Sequence, residues 1–237
     1  RDDEVPAKLY AKGVRAGDVR YFDYNEDGDI TDADRVNVGK AIPDFYGGIT
    51  SNFSYKGFDL SLFGQFSVGG KVMAAWRGVN GSEGTDHLGL ALSNVKVGDR
   101  GESVEQFFNI SKEVANGYWR GEGTSNSIPR PVRIGVHTGY DYDYNVQTST
   151  RYLEDASYFK LKTVTLGYTL PESITKKIHV NSLRVYVSAD NLLTFTKYSD
   201  YDPETSFSGS PGDSNYGVDF GLQPVLRTFI FGLNLNF

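Results

Sequence analysis

The sequence has no cysteine and only one methionine and two tryptophans in 237 residues. Without cysteine, the chain forms neither a disulfide framework nor a thiolate metal site. No stretch approaches the ~20 apolar residues that a membrane-spanning helix needs. Lys and Arg number 24 against 30 Asp and Glu, a formal net charge of −6. Since no basic stripe is present, we expect no nucleic-acid partner.

Catalytic signatures are scarce as well. The three histidines, His87, His137 and His179, lie far apart and lack metal-ligand spacing. The sequence contains neither a G-x-S-x-G nucleophile motif nor a phosphate-binding P-loop. Carboxylates are plentiful, but no pair of them stands out as a glycosidase acid and base. We therefore do not expect an enzyme.

Aromatic residues and glycine are abundant, with 16 Tyr, 15 Phe and 27 Gly, a composition that favours strands and tight turns. Five segments of about 11 to 14 residues alternate apolar and polar side chains, as membrane-spanning strands do. They are residues 45–55, 58–68, 157–170, 183–195 and 225–237. In the third segment the apolar phase changes, which predicts a β-bulge near Lys162 and Thr163. The sequence thus predicts an all-β chain.

The connections between these strands differ in length. Lys56-Gly57 and residues 171–182 are short, whereas 1–44, 69–156 and 196–224 are long and polar. In outer-membrane barrels the periplasmic turns are short and the extracellular loops are long. This rule gives every strand a consistent direction and places the C-terminus in the periplasm. Five strands cannot close a barrel, so we predict that residues 45–237 are part of a larger transmembrane antiparallel β-barrel.

A soluble antiparallel sandwich also alternates and is the alternative fold. The long strands and the loop of nearly 90 residues between the second and third strands disfavour it. The polar start of the chain, inside a predicted outer loop, also suggests a nicked polypeptide whose halves stay paired.

The sharpest local motif is Asp23–Asp34, DYNEDGDITDAD, in the predicted extracellular segment 1–44. It follows the EF-hand calcium loop, with oxygen ligands at positions 1, 3, 5, 7 and 12 and glycine at position 6. The corresponding ligands are Asp23, Asn25, Asp27, the backbone carbonyl of Asp29, and Asp34. Aspartate at the last position resembles dockerin loops. We predict structural calcium here, against the alternative of a metal-free acidic turn.

Aromatic residues in the predicted loops are weaker candidates for ligand contact, because Tyr and Trp stack on sugars and pack against peptides. The same rings could instead form an interfacial girdle or hold the loops together. The candidates are Tyr118, Trp119, Tyr142 and Tyr198.

Taken together, several blocks resemble the SusC/RagA family of TonB-linked outer-membrane proteins of Bacteroidetes. The region from Lys71 to Thr150 matches this family least. The blocks that carry the resemblance are Gly17–Arg35, Pro43–Gln65, Ser157–Pro171, Leu183–Glu204 and Arg227–Phe237.

The resemblance implies a barrel of about 22 strands in a Gram-negative outer membrane. It implies a plug that contacts TonB, supplied by upstream sequence, and a SusD-like surface lipoprotein as a lid. Oligosaccharides or peptides would be the imported substrates. The tail resembles the signal read by the barrel-assembly machinery, formed by Phe229, Phe231, Leu233, Leu235 and Phe237. A passive porin or adhesin, and a soluble calcium-dependent carbohydrate-binding module, stay open as alternatives.

Overall fold

The computed structural model describes residues 1–77, 91–97, 102–106, 112–130, 144–199, 202–204 and 216–237, with only the backbone in 91–97 and 102–106. Its ten strands are β1 Phe45–Tyr55, β2 Phe58–Val68, β3 Lys71–Ala74, β4 Ala91–Val97, β5 Glu102–Gln106, β6 Leu153–Asp155, β7 Tyr158–Thr169, β8 Ser182–Thr196, β9 Val218–Asp219 and β10 Thr228–Asn236. Its helices are α1 Ala7–Ala11, α2 Lys112–Gly117 and α3 Glu172–Thr175. No helix among the described residues is long and apolar enough to cross a membrane.

The chain divides into two compact units. One consists of residues 39–72 and 154–237 and contains an antiparallel sheet in the order β1-β2-β7-β8-β10. The other consists of residues 1–38 and 73–153, and buries Leu9, Val14 and Tyr144 in a small apolar cluster.

The five predicted strands are all present in the large sheet. β1 and β2 have the predicted bounds, and β7 and β8 differ from the prediction by one residue at each end. The last strand begins at Thr228 rather than at residue 225. Residues 221–227 stay outside the ladder, and Pro224 among them has no N–H to donate to it.

The segment 69–156, predicted as a long extracellular loop, contains four short strands. β4 pairs with β5 in a hairpin, and β3 and β6 join β9 in a three-stranded sheet of order β6-β3-β9. These strands have only three to seven residues, so their alternation is too brief to be recognised in the sequence.

Turn and bulge chemistry set the register of the sheet. Lys56 and Gly57 both have positive φ, at 47° and 86°, as a type I′ hairpin turn requires. The pairing of β7 with β8 shifts between Leu161 and Thr163, and its pairing with β2 shifts at the same level. The bulge predicted at Lys162 and Thr163 is therefore confirmed.

Glycines on the sheet are covered by aromatic rings from neighbouring strands. A Cβ atom on Gly232 would lie 2.3 Å from Cε1 of Tyr186, which is directly opposite on β8. Phe63, the one aromatic residue on the polar side of β2, covers Gly48 in the same way. Because glycine has no Cβ atom, the aromatic rings can pack directly on the backbone at these positions.

Replacing Gly232 by valine should displace the Tyr186 ring and destabilise the full-length protein by about 1–3 kcal/mol, the usual cost of overpacking. The measurement is the urea midpoint for loss of β-structure in detergent. The matched control is Asn234→Val on the same face of β10, where the residue directly opposite is Arg184 and not an aromatic residue. Equal midpoints for the two variants would contradict this role of Gly232.

Candidate functional site

The register of the large sheet places its apolar stripes on one face. One row runs straight across all five strands and consists of Phe53, Leu60, Leu166, Val187 and Phe231. Phe53 is 59% exposed and Phe231 is 81% exposed. An apolar face of this width, open on its outer side, indicates contact with a membrane or with another protein.

The opposite face of the sheet is polar. The neighbouring row contains Asn52, Ser61, Thr165 and Ser188, and only Ile230 on β10 departs from the pattern. Thr165 and Ser188 share a hydrogen bond of 2.8 Å between their hydroxyls. A transmembrane barrel requires this division, with one face toward hydrocarbon and the other toward a polar lumen.

An ion pair crosses the middle strand on this polar face. Arg184 on β8 donates from Nε to Oδ1 of Asp59 on β2 at 2.9 Å, and a second bond joins Nη2 to Oδ2. Gly167 of β7 lies beneath the pair, and a Cβ there would be 2.5 Å from Asp59 Oδ1. Glycine at this position therefore permits a bidentate Arg–carboxylate contact across the strand between them.

The Asp23–Asp34 loop adopts a compact turn held by its own carboxylates. Asp23 accepts hydrogen bonds from the amides of Asp27 at 3.2 Å and Gly28 at 2.7 Å. Gly28 has φ +77°, in the left-handed region that glycine tolerates best. Asp34 accepts the amides of Tyr24 at 2.9 Å and Thr31 at 2.7 Å. The first and last predicted ligands thus close the loop from both ends.

The remaining predicted ligands have distinct surroundings. The Asp29 carboxylate binds Lys12 Nζ at 2.6 Å, which lowers the pKa of Asp29 and leaves its backbone carbonyl as the available calcium ligand. Backbone hydrogen bonds, the largest from Thr31, lower the pKa of Asp34. Among the described residues, no three His, Cys, Asp or Glu side chains are grouped as metal ligands. The donor types suit calcium, but the carboxylates must turn toward a common point to bind it.

The predicted aromatic contacts have different structural roles. Trp119 is half-buried, and its ring lies flat against Gly17, where a Cβ would be 2.3 Å from Cε3. Tyr118 is also half-buried, with the Arg120 guanidinium 4.4 Å from its ring centroid. Trp119 therefore holds two loop segments together, whereas the Tyr118 ring packs against the Arg120 guanidinium.

Tyr198 is only 5% exposed and packs with Val72 and Ala156. Its hydroxyl donates a hydrogen bond to the buried carboxylate of Asp219. This packing argues against direct ligand contact through Tyr198. Tyr142 lies outside the described residues, so its predicted role stays a prediction.

A buried polar centre around Asp18 was not predicted from the sequence. The Asp18 side chain is 5% exposed and accepts from Arg130 Nη2 at 2.9 Å and from Asn145 Nδ2 at 2.9 Å. The Arg130 amide also donates to the Gly17 carbonyl at 2.7 Å. More than 110 residues separate Asp18 from each partner, so no local spacing could have indicated the contact.

The predicted assembly residues share the apolar side of the edge strand β10 and its end. Their exposed fractions run from 46% to 82%, with Phe237 the highest. They are Phe229, Phe231, Leu233, Leu235 and Phe237. β10 pairs only with β8, so its other edge is free within the described residues.

Known proteins resemble this chain over nearly its full length, although no protein-family model matches it. TonB-dependent receptor P3 of Formosa agariphila is 33% identical over 225 residues, covering 93% of this chain and 19% of the receptor. TonB-dependent receptor SusC of Bacteroides thetaiotaomicron is 25% identical over 235 residues, or 98% of this chain and 19% of SusC. A structure of the RagAB peptide transporter superposes with a TM-score of 0.57 at 25% identity, covering 83% of this chain and 17% of that chain.

The chain belongs to the SusC/RagA-type TonB-dependent receptors. It spans about a fifth of the length of the curated relatives that it matches. Its large sheet is therefore a section of an outer-membrane transporter barrel. The apolar face of this SusC/RagA-type segment is the lipid side, and the Arg184–Asp59 face is the lumenal side.

Adjacent residues of β1 test this assignment of the two faces. Phe53→Arg puts a charge on the lipid side and should cost up to about 2–4 kcal/mol, depending on its depth in the bilayer. Asn52→Arg puts the same charge on the lumenal side and should be tolerated. The measurement is the amount of folded, heat-resistant full-length protein in outer-membrane fractions. If Asn52→Arg is the more damaging change, the two faces are reversed.

Proposed function

We propose that the full-length protein is a TonB-dependent importer of oligosaccharides or peptides, and that this chain supplies barrel wall and extracellular loops. The observation that carries the proposal is the five-strand sheet with one exposed apolar face and one polar face. Resemblance over 93% of the chain to a TonB-dependent receptor supports it. Localisation in a Bacteroidetes-like Gram-negative outer membrane, with the chain crossing it many times, belongs to the same proposal.

Import requires parts that the remaining sequence would supply. A plug fills the lumen and contacts the TonB complex, which draws on inner-membrane energy to move it. A SusD-like surface lipoprotein closes over the extracellular mouth and traps the substrate. This chain contributes the polar wall that faces the plug, and loops that face the lid. No covalent chemistry is needed, so we do not propose an enzymatic activity.

The rival functions make different demands on the same residues. A soluble carbohydrate-binding module needs its apolar stripes enclosed in a core, whereas Phe53 and Phe231 are largely exposed. A passive porin shares the barrel but needs neither a plug nor an energy supply. Dependence on energy therefore separates import from passive diffusion.

Deleting the gene in the native host should abolish uptake of either a labelled oligosaccharide pool or a labelled peptide pool. In wild-type cells the same uptake should stop when a protonophore removes the energy that TonB transmits. Uptake is measured as cell-associated label over time. Uptake that needs the gene but survives the protonophore would indicate a porin, and unchanged uptake of both pools would contradict transport.

We also propose that Asp23, Asn25, Asp27, the Asp29 carbonyl and Asp34 bind one structural calcium ion. Asp23 already joins the two sides of the turn through the amides of Asp27 and Gly28. A cation would offset the repulsion among Asp23, Asp27 and Asp34 and hold the loop in one conformation. Its role is structural, because the loop has no flanking pair of helices that could open.

The full-length Asp23→Ala variant should bind about one calcium ion fewer per molecule than the wild type. Bound calcium is measured by elemental analysis after dialysis against calcium-free buffer. Asp32→Ala is the matched control, because Asp32 lies in the same loop but outside the ligand positions, with an 87% exposed side chain paired to Arg35. Equal calcium content in the wild type and Asp23→Ala would contradict the site.

A further inference from the structure

Four charged side chains form a cluster at the beginning of β7. Lys160 Nζ binds Oδ1 of Asp202 and lies 2.8 Å from Oε2 of Glu204. Lys162 Nζ lies 2.7 Å from the same Glu204 oxygen. Two positive and two negative charges thus meet in one connected group. The contacts join β7 to a segment about 40 residues later in the chain.

The register shows which side of the sheet carries the cluster. Lys160 pairs with Gln65 on β2 and with Thr194 on β8, both on the polar face. Lys162 is two residues beyond Lys160 and therefore projects from the same face, and the bulge shifts the phase of the strand only from Thr163 onward. The cluster therefore lies on the lumenal side of the wall.

The chain returns to this face soon after it leaves β8. Ser199 donates its amide to Glu154 at 2.8 Å, which fixes the beginning of the connection. Asp202 and Glu204 then contact the two lysines, and Pro203 between them is almost fully buried. The stretch 202–204 consequently packs against the polar face of the sheet.

Burial makes the cluster costly to disrupt. The Lys160 side chain is 2% exposed and that of Asp202 is 7% exposed. Partial burial raises the pKa of Glu204, but hydrogen bonds from Lys160 and Lys162 outweigh this effect and leave the pKa below its usual value. Removing one partner would leave an unpaired charge in a poorly solvated place.

We propose that Lys160, Lys162, Asp202 and Glu204 form a charge latch that holds residues 202–204 against the inner wall of the barrel. This stretch then forms part of the surface along which substrate passes. With the C-terminus in the periplasm, β7 begins at the extracellular end, so the latch lies near the mouth. The role in passage rests on the proposed import function, whereas the latch itself rests on the contacts alone.

The test uses a cysteine at Gln65, beside Lys160, in the full-length protein in intact cells. This segment contains no native cysteine, and any elsewhere are replaced by serine. The probe is a charged, membrane-impermeant methanethiosulfonate added from outside. Gln65 is half-buried and lies directly opposite Lys160 in the register, so release of residues 202–204 from Lys160 should expose it further. Glu204→Gln should raise the labelling rate about tenfold, because it removes the negative charge that both lysines share.

Lys162→Met gives a second, independent way to weaken the latch, since it leaves Glu204 paired with Lys160. It should also raise the labelling rate. Labelling is measured only on folded, heat-resistant protein. Glu172→Gln is the matched control, because Glu172 forms an exposed pair with Lys176 at 2.8 Å on another connection. This control should leave the rate unchanged. The proposal would be overturned if both latch variants were labelled at rates within twofold of the protein that carries only the cysteine at Gln65.

A cysteine at Leu60, on the lipid face, separates failure of the latch from failure of the barrel assignment. It should resist the impermeant probe in every background. If it reacts as fast as the cysteine at Gln65, the two faces are misassigned and the proposed function fails. If it stays protected while both latch variants leave labelling at Gln65 unchanged, only the latch fails.

Discussion

The structure depends on one constraint, which is that every backbone N–H and C=O group within a bilayer must find a partner inside the protein. β2, β7 and β8 satisfy this requirement with a neighbour on each side. Within the described residues, β1 and β10 each pair on one side only, so their outer edges need further strands as partners. The sheet is therefore an incomplete membrane structure by itself. This constraint explains why a chain with a mostly polar composition can form a membrane wall.

The ladder also decides where charges can lie. A strand alternates its side chains between two faces, so a single register sends Phe53 and Leu60 to lipid and Asn52 and Ser61 to the lumen. Among the described residues, two groups of ion pairs involve strands of the sheet, and both lie on the lumenal face. One joins Arg184 to Asp59, and the other joins Lys160 and Lys162 to Asp202 and Glu204. Charges on the other face would have to be buried in hydrocarbon without partners.

Local information was enough to predict the wall. The alternation in 45–55 and 58–68 predicted the bounds of β1 and β2, and a phase change predicted the bulge at Lys162. The calcium-type register of Asp23–Asp34 is equally local, and the carboxylates of Asp23 and Asp34 do close a turn there. In each case the side chains that determine the structure lie within about a dozen residues of one another.

The loop contacts could not be predicted in this way. Asp18 meets Arg130 and Asn145 across more than 110 residues, and a single aspartate in a polar loop carries no sign of such partners. Tyr198 is a weak sequence candidate for ligand contact because tyrosine can stack on sugars or pack against peptides, and the sequence does not distinguish an exposed tyrosine from a buried one. Its hydroxyl in fact satisfies Asp219 in a protein interior. The alternation of apolar and polar residues predicts which face of a strand a side chain occupies. Loops have no such alternation, so their contacts cannot be predicted in this way.

Backbone pairing and buried polar contacts stabilise different parts of this segment. The wall is held by repeated backbone pairing, so it tolerates different side chains provided that each keeps its face and its polarity. The loops are held by a few buried polar centres, such as Asp18 and Lys160, whose loss would release whole segments at once. Substitutions at loop positions around these centres should therefore disturb the structure less than substitutions at the centres themselves. Residues 202–204 combine the two kinds of contact. They belong to a loop, but Lys160 and Lys162 on a strand of the wall hold them in position.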